Sequence, residues 1–118
     1  MPFWDDVNLS GGELAGAMML IEVFRGPFRL RCNIVGDRIA QSYGGHLTSR
    51  FLDEVERKSP LEYLTAQALV TVEAMAPTYY RHEIEPESGA PRSAYSRIVL
   101  PLWGEGEVRK LLAGVSFG

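Results

Sequence analysis

The sequence predicts an α+β fold, with one antiparallel sheet and helices packed on one of its faces. Three observations carry that expectation. Two strand-like runs near the start are joined by a Gly-Pro turn, helical segments fill the middle, and three further strand-like runs close the chain. At 118 residues there is room for one core. We divide the chain into an N-terminal cap over residues 1–16 and a domain over residues 17–118.

The cap contains Phe3, Trp4, Val7 and Leu9, too many apolar groups for a free tail. AMMLIEVF (17–24) and FRLRCNIV (28–35) flank Arg25-Gly26-Pro27 and read as a hairpin. The second run alternates, with Phe28, Leu30, Cys32 and Ile34 on one face and Arg29, Arg31 and Asn33 on the other. Glu22 is placed to meet Arg29 or Arg31 across the pair. DRIAQSY (37–43) is a short helix ended by Gly44-Gly45, and LTSRFLDEVERK (47–58) is expected to form another. A longer helix is predicted from Pro60 to Ala76, with Ser59 as its cap and Glu62 completing a capping box. TYYRHEIE (78–85), SAYSRIVLPLW (93–103) and LLAGVSF (111–117) are the last three strands.

Composition narrows the functional classes. A net charge of −3, with scattered Arg and Lys, argues against a nucleic-acid surface. No apolar run reaches the ~20 residues of a membrane span. One cysteine and an acidic N-terminus point to a cytoplasmic protein. Gly36 and Gly44-Gly45 match no phosphate-binding loop and are read as turn positions. Cys32, His46 and His82 lack metal-ligand spacing, so no metal site is expected. Two readings stand for His82: a hydrogen-bonded core or edge residue, or a polar anchor in a small cavity with Tyr80 and Ser96.

The element order, the hairpin LIEVFRGPFRLRCNIV and its continuation GDRIAQSYGGHLTSRFLDEV resemble a bacterial PAS subfamily. RIVLPLWGEGEVRKLLAGVSF (97–117), with Leu100-Pro101-Leu102 before an acidic turn, is similar to the closing strands of that subfamily. Ser49 and Asp37 depart from its loop pattern. The resemblance implies a five-stranded sheet of order 2-1-5-4-3 with a small cavity under the helices. It also implies a sensory module that works by binding a small ligand, by associating with itself or a signalling partner, or both. The cofactor stays open. The segment after the second strand lacks the Cys of a flavin-photoadduct PAS domain, and the long helix lacks an axial His for haem, so both are disfavoured.

The pocket candidates are Cys32, Ile34, Tyr43, Leu64, Tyr80, His82, Ser96 and Ile98. Strand parity leaves apolar residues on both faces of the sheet, and helices cover only one. The cap, a twin subunit, or both must then cover the other. Phe3, Trp4, Leu20, Phe24, Tyr95, Val99 and Trp103 are the candidates for that interface, in a homodimer or with a partner protein. Arg97 is expected to pair with Glu83 or Glu85 across the last hairpin. Two alternatives remain: a purely structural dimerisation domain, or a small cone-shaped isomerase or hydrolase drawing on Asp37, Tyr43 and Tyr80. No catalytic residue is assigned, since nothing in the spacing demands one.

Overall fold

The computed structural model describes residues 16–84 and 93–117. The cap, with Phe3 and Trp4, therefore lies outside the described residues apart from Gly16. Five strands form one antiparallel sheet: β1 (Met18–Phe24), β2 (Arg29–Val35), β3 (Thr78–Ile84), β4 (Ser93–Gly104) and β5 (Glu107–Phe117). Their order is β2-β1-β5-β4-β3, as expected. Two helices, α1 (Asp37–Tyr43) and α2 (Leu64–Ala74), connect the first hairpin to the last three strands.

The core lies between the sheet and the segments carrying these helices. Central β5 supplies Leu111, Ala113 and Val115. Ile21 and Met19 of β1 flank Leu111 and Ala113 on one side, and Val99 of β4 flanks Ala113 on the other. Ile39, Leu47, Leu52, Leu61, Leu64 and Ala68 close over them, each at most 3% exposed. Such a layer, each large side chain removed from water, supplies the main favourable term in folding.

Two hairpin details follow from local chemistry. β4 turns into β5 through Glu105 and Gly106, both at positive φ (53° and 82°), a geometry that matches the twist of the paired strands. Pro101 is tolerated in β4 because β3 ends at the Thr78–Val99 pair, so only β5 neighbours β4 at that level.

Three expectations are corrected. First, the parity of β2 changes at a bulge: Leu20 pairs with Ile34 but Ile21 pairs with Cys32. The unpaired residue turns Ile34 outward, 46% exposed, while Val35 packs on the core. Second, residues 47–58 hold only a 3₁₀ turn, Leu52–Glu54. The chain before it is drawn out along β2, where Cys32 N–H donates to Arg50 O (2.9 Å), Ser49 N–H donates to Cys32 O (2.6 Å), and Phe51 bridges Arg31. Those residues cover a sheet edge instead of coiling. Third, α2 has 11 residues and begins at Leu64, preceded by Tyr63 in the left-handed region (φ 59°) with no side-chain cap. The Ser59 capping box does not form, because Glu62 is engaged by the sheet.

The interface candidates also divide. Tyr95 and Val99 are buried in the helix-side core and Trp103 packs against it. Leu20 and Phe24 lie on the opposite face, Phe24 with its ring 5.5 Å from that of Phe51. A single docking face made of all five is therefore ruled out by strand alternation. The predicted cross-strand ion pair does form, between Arg31 and Glu22 at 2.6 Å.

Cys32 is fully enclosed in this core, and burial pushes its thiol from 9.0 up to about 11. The neutral thiol therefore contributes its full stability below about 9 and loses it as pH rises towards about 11. We expect native protein at pH 8 to resist a thiol reagent and denatured protein to react at once. Rapid labelling of the native state would contradict this burial.

A polar cluster and cleft between helix α2 and strand β3

Alternation along β3 and β4 sets Thr78, Tyr80 and His82 beside Tyr95, Arg97 and Val99 on the helix side. Opposite them run residues 60–71, the approach to α2 and its first two turns. Arg97 is the centre of the contact and is wholly buried. Its Nε donates to Gln67 Oε1 at 2.7 Å, its Nη1 to Pro60 O at 2.8 Å and its Nη2 to Glu62 O at 2.9 Å. Gln67 Nε2 returns a bond to Arg97 O (3.2 Å), and the Tyr80 ring lies 5.0 Å from the guanidinium carbon. Burial lowers the Arg97 pKa, opposed by Tyr95, Tyr80 and Glu62 nearby. Arginine keeps its charge in such places, so its donors must be satisfied by fixed acceptors. This explains the late start of α2: the carbonyls of Pro60 and Glu62 point at the sheet.

A second layer of bonds surrounds this one. The Tyr95 hydroxyl donates to Glu62 Oε1 at 2.6 Å, and Glu62 Oε2 stands 3.7 Å from His82 Nε2. The Tyr80 hydroxyl and His82 Nδ1 are 2.8 Å apart. With the carboxylate facing Nε2, the consistent tautomer carries its proton there and accepts from Tyr80 at Nδ1. Burial raises the Tyr95 hydroxyl pKa, and the Glu62 carboxylate adds to the effect. Burial likewise raises that of Tyr80, with Arg97 opposing. The rings also pack together: His82 stacks on Tyr95 at 5.2 Å, and Tyr63 lies tilted against Tyr80 at 5.9 Å.

Tyr63 projects from this cluster, 65% exposed, and separates two open clefts. One, of about 410 Å³, is lined by Arg57, Glu62, Tyr63, Thr65, Ala66 and His82. The other, of about 550 Å³, runs along α2 and β3 and includes Ala66, Val70, Thr78, Tyr79 and Tyr80. The first offers a flat ring, a carboxylate, an imidazole and a guanidinium within one small opening. Chemically, such a set can stack a flat group, accept a hydrogen bond at Glu62 and donate one at Arg57.

Of the pocket candidates, the structure brings Tyr80 and His82 together here. Leu64 lies beneath them in the core. Cys32 and Tyr43 are also in the core, but on the β2 side, where the Tyr43 hydroxyl donates to Glu56 O (2.7 Å). Four strand spacings separate β2 from β3, about 19 Å, so Cys32 and His82 do not share a small cavity. Ser96, Ile98 and Ile34 face the other side of the sheet. Ser96 there accepts from the Tyr79 hydroxyl at 2.9 Å, and Ile98 helps line an apolar hollow of about 210 Å³.

Sequence reasoning missed Arg97, Glu62, Tyr63 and Gln67. The expected hairpin ion pair is corrected: Arg97 bonds Gln67, Pro60 and Glu62, while Glu83 pairs with Arg81 and Glu85 lies outside the described residues. Strand parity sets Arg97 between Tyr95 and Val99, on an apolar face where a charge needs partners. No such parity signal marks Tyr63, whose position follows from the arrest of the helix. No protein-family model matches the chain, and no curated protein matches it significantly.

If Arg97 holds α2 to the sheet, Arg97→Ala strands three acceptors and should cost roughly 3–5 kcal/mol of unfolding free energy in urea. A loss below about 1 kcal/mol would mean that the contact is incidental.

Proposed function

We propose that the chain is a PAS-type sensory module whose ligand occupies the cleft beside Tyr63, Glu62 and His82. The sheet order and the one-sided packing of its helices are in keeping with that fold. The observation that carries the reading is the clustering of four rings and a carboxylate around an opening, with Arg97 keeping its carboxylate-bearing wall rigid. A core filled by Ile39, Leu47, Leu64 and Val99 has little need of a ligand for its own stability. The cleft instead sits at the border of helix and sheet, where occupancy can bias the position of α2.

The ligand class is a small planar heterocycle with an N–H or hydroxyl donor. It stacks on Tyr63, donates to Glu62 and turns an acceptor to Arg57. Signalling follows from the difference in ligand affinity between two settings of residues 60–66, and is limited by that difference. Any output then passes to whatever α2 and β3 touch.

Thermal-shift titration against a panel of heteroaromatic metabolites tests this reading. A binder should stabilise the protein, and Tyr63→Ala and Glu62→Gln should each abolish that shift. Tyr63 is largely exposed, so its replacement should move the ligand-free Tm by less than about 4 °C. A ligand shift that survives both substitutions, or a panel with no binder, contradicts the proposal.

A further inference from the structure

The two edges of the sheet are treated differently. Along β2, the edge backbone is occupied by residues 49–51, through Cys32 and Arg31. Along β3, no backbone hydrogen bond from the described residues outside the sheet reaches the outer edge. Beside that edge lies the larger of the two clefts, where Tyr63, Val70 and Tyr79 are 65%, 54% and 68% exposed. Helix α2 contributes to the same wall. Only Glu73 among its 11 residues is charged, and its solvent side carries Leu69 and Val70. An apolar patch on the solvent side of a helix marks a surface that a partner can cover.

We propose that β3 pairs antiparallel with β3 of a second copy of this chain, giving a continuous ten-stranded sheet with both α2 helices on one face. The charge pattern of the strand argues for this occupant. For the two helix faces to stay together, facing residues must have the same parity, so the two-fold axis passes through a residue. Centred on His82, it sets Arg81 opposite Glu83 of the partner subunit and Glu83 opposite Arg81 of the partner subunit. Centred on Arg81 or Glu83, it sets like charges face to face. Centred on Tyr80, it leaves Glu83 opposite Pro77 of the partner subunit and without a cation. The strand is thus self-complementary in one register. Within one copy Arg81 and Glu83 already lie 3.3 Å apart, both about half exposed, so both are available for exchange across the axis.

The pairing also brings the two His82 residues to the axis, with the clefts beside them. It stands on the edge and its charges, whether or not the cleft binds a ligand. It differs from the face-to-face association expected from strand parity, because it uses the edge of the sheet.

Sedimentation velocity with charge exchange separates these outcomes. Wild type should be a dimer at micromolar concentration. R81E and E83R should each weaken it at least about tenfold by setting like charges opposite. The double variant R81E/E83R restores both pairs in reversed sense and should return the dissociation constant to within about threefold of wild type. Ile98→Asp, on the other face, should leave it unchanged. A monomeric wild type overturns the proposal, as does a double variant no better than the singles or a dimer abolished by Ile98→Asp. Circular dichroism of each variant confirms that the fold persists.

Discussion

A buried guanidinium decides how this small fold is assembled. Arg97 stands on β4, a strand paired on both sides, facing helices, where desolvation alone would exclude a charge. It is retained because three acceptors, two of them backbone carbonyls from residues 60–62, are held in place around it. The exchange is mutual. The carbonyls leave the helix that the sequence would otherwise start at Pro60, and the guanidinium gives them a partner that water cannot supply in the interior. The helix therefore starts late, Tyr63 takes a left-handed conformation, and its ring is turned outward into the cleft.

The rest of the site follows from that fixed point. Once Glu62 O is bound to Arg97, the Glu62 carboxylate lies where Tyr95 can donate to it and His82 can face it. The same segment joins α2 to the sheet through Gln67, and Thr71 continues the contact by sharing a 2.6 Å hydrogen bond with Thr78. Helix and sheet are thus joined by polar groups at one end and by apolar packing elsewhere. Polar contacts of this kind have few satisfactory arrangements, which favours a small number of discrete positions for the helix over a continuum. That is the physical property the proposed sensing role requires.

Legibility in the sequence followed the range of the interactions. Short alternating runs and their turns depend on neighbouring residues, and the first four strands and α1 lie close to where periodicity and glycine placed them, while β5 begins at Glu107, ahead of the expected Leu111. The larger failures come from contacts distant in sequence. Residues 47–58 have a helical pattern, yet β2 needed its edge covered, and the chain was drawn out to do so. Ser59-Pro60-Leu61-Glu62 has every local mark of a helix start, yet Arg97, 35 residues beyond Glu62, takes the carbonyl. One bulge at the end of β2 was enough to move Ile34 from the expected pocket face to the outer one. Tyr80 and His82 were legible as a pair because they are two apart on one strand, whereas Glu62 and Tyr63 came to them through tertiary geometry alone.

Hydrogen exchange of the backbone amides in Arg97→Lys is the most direct measure of this dependence. A lysine keeps the charge but cannot reach three acceptors in the fork geometry of a guanidinium. The account predicts much faster exchange across residues 60–67, with β1 and β5 protected as in wild type. Unchanged protection in that segment, or a uniform rise over the whole sheet, would show that Arg97 is not the group that holds the helix start in place.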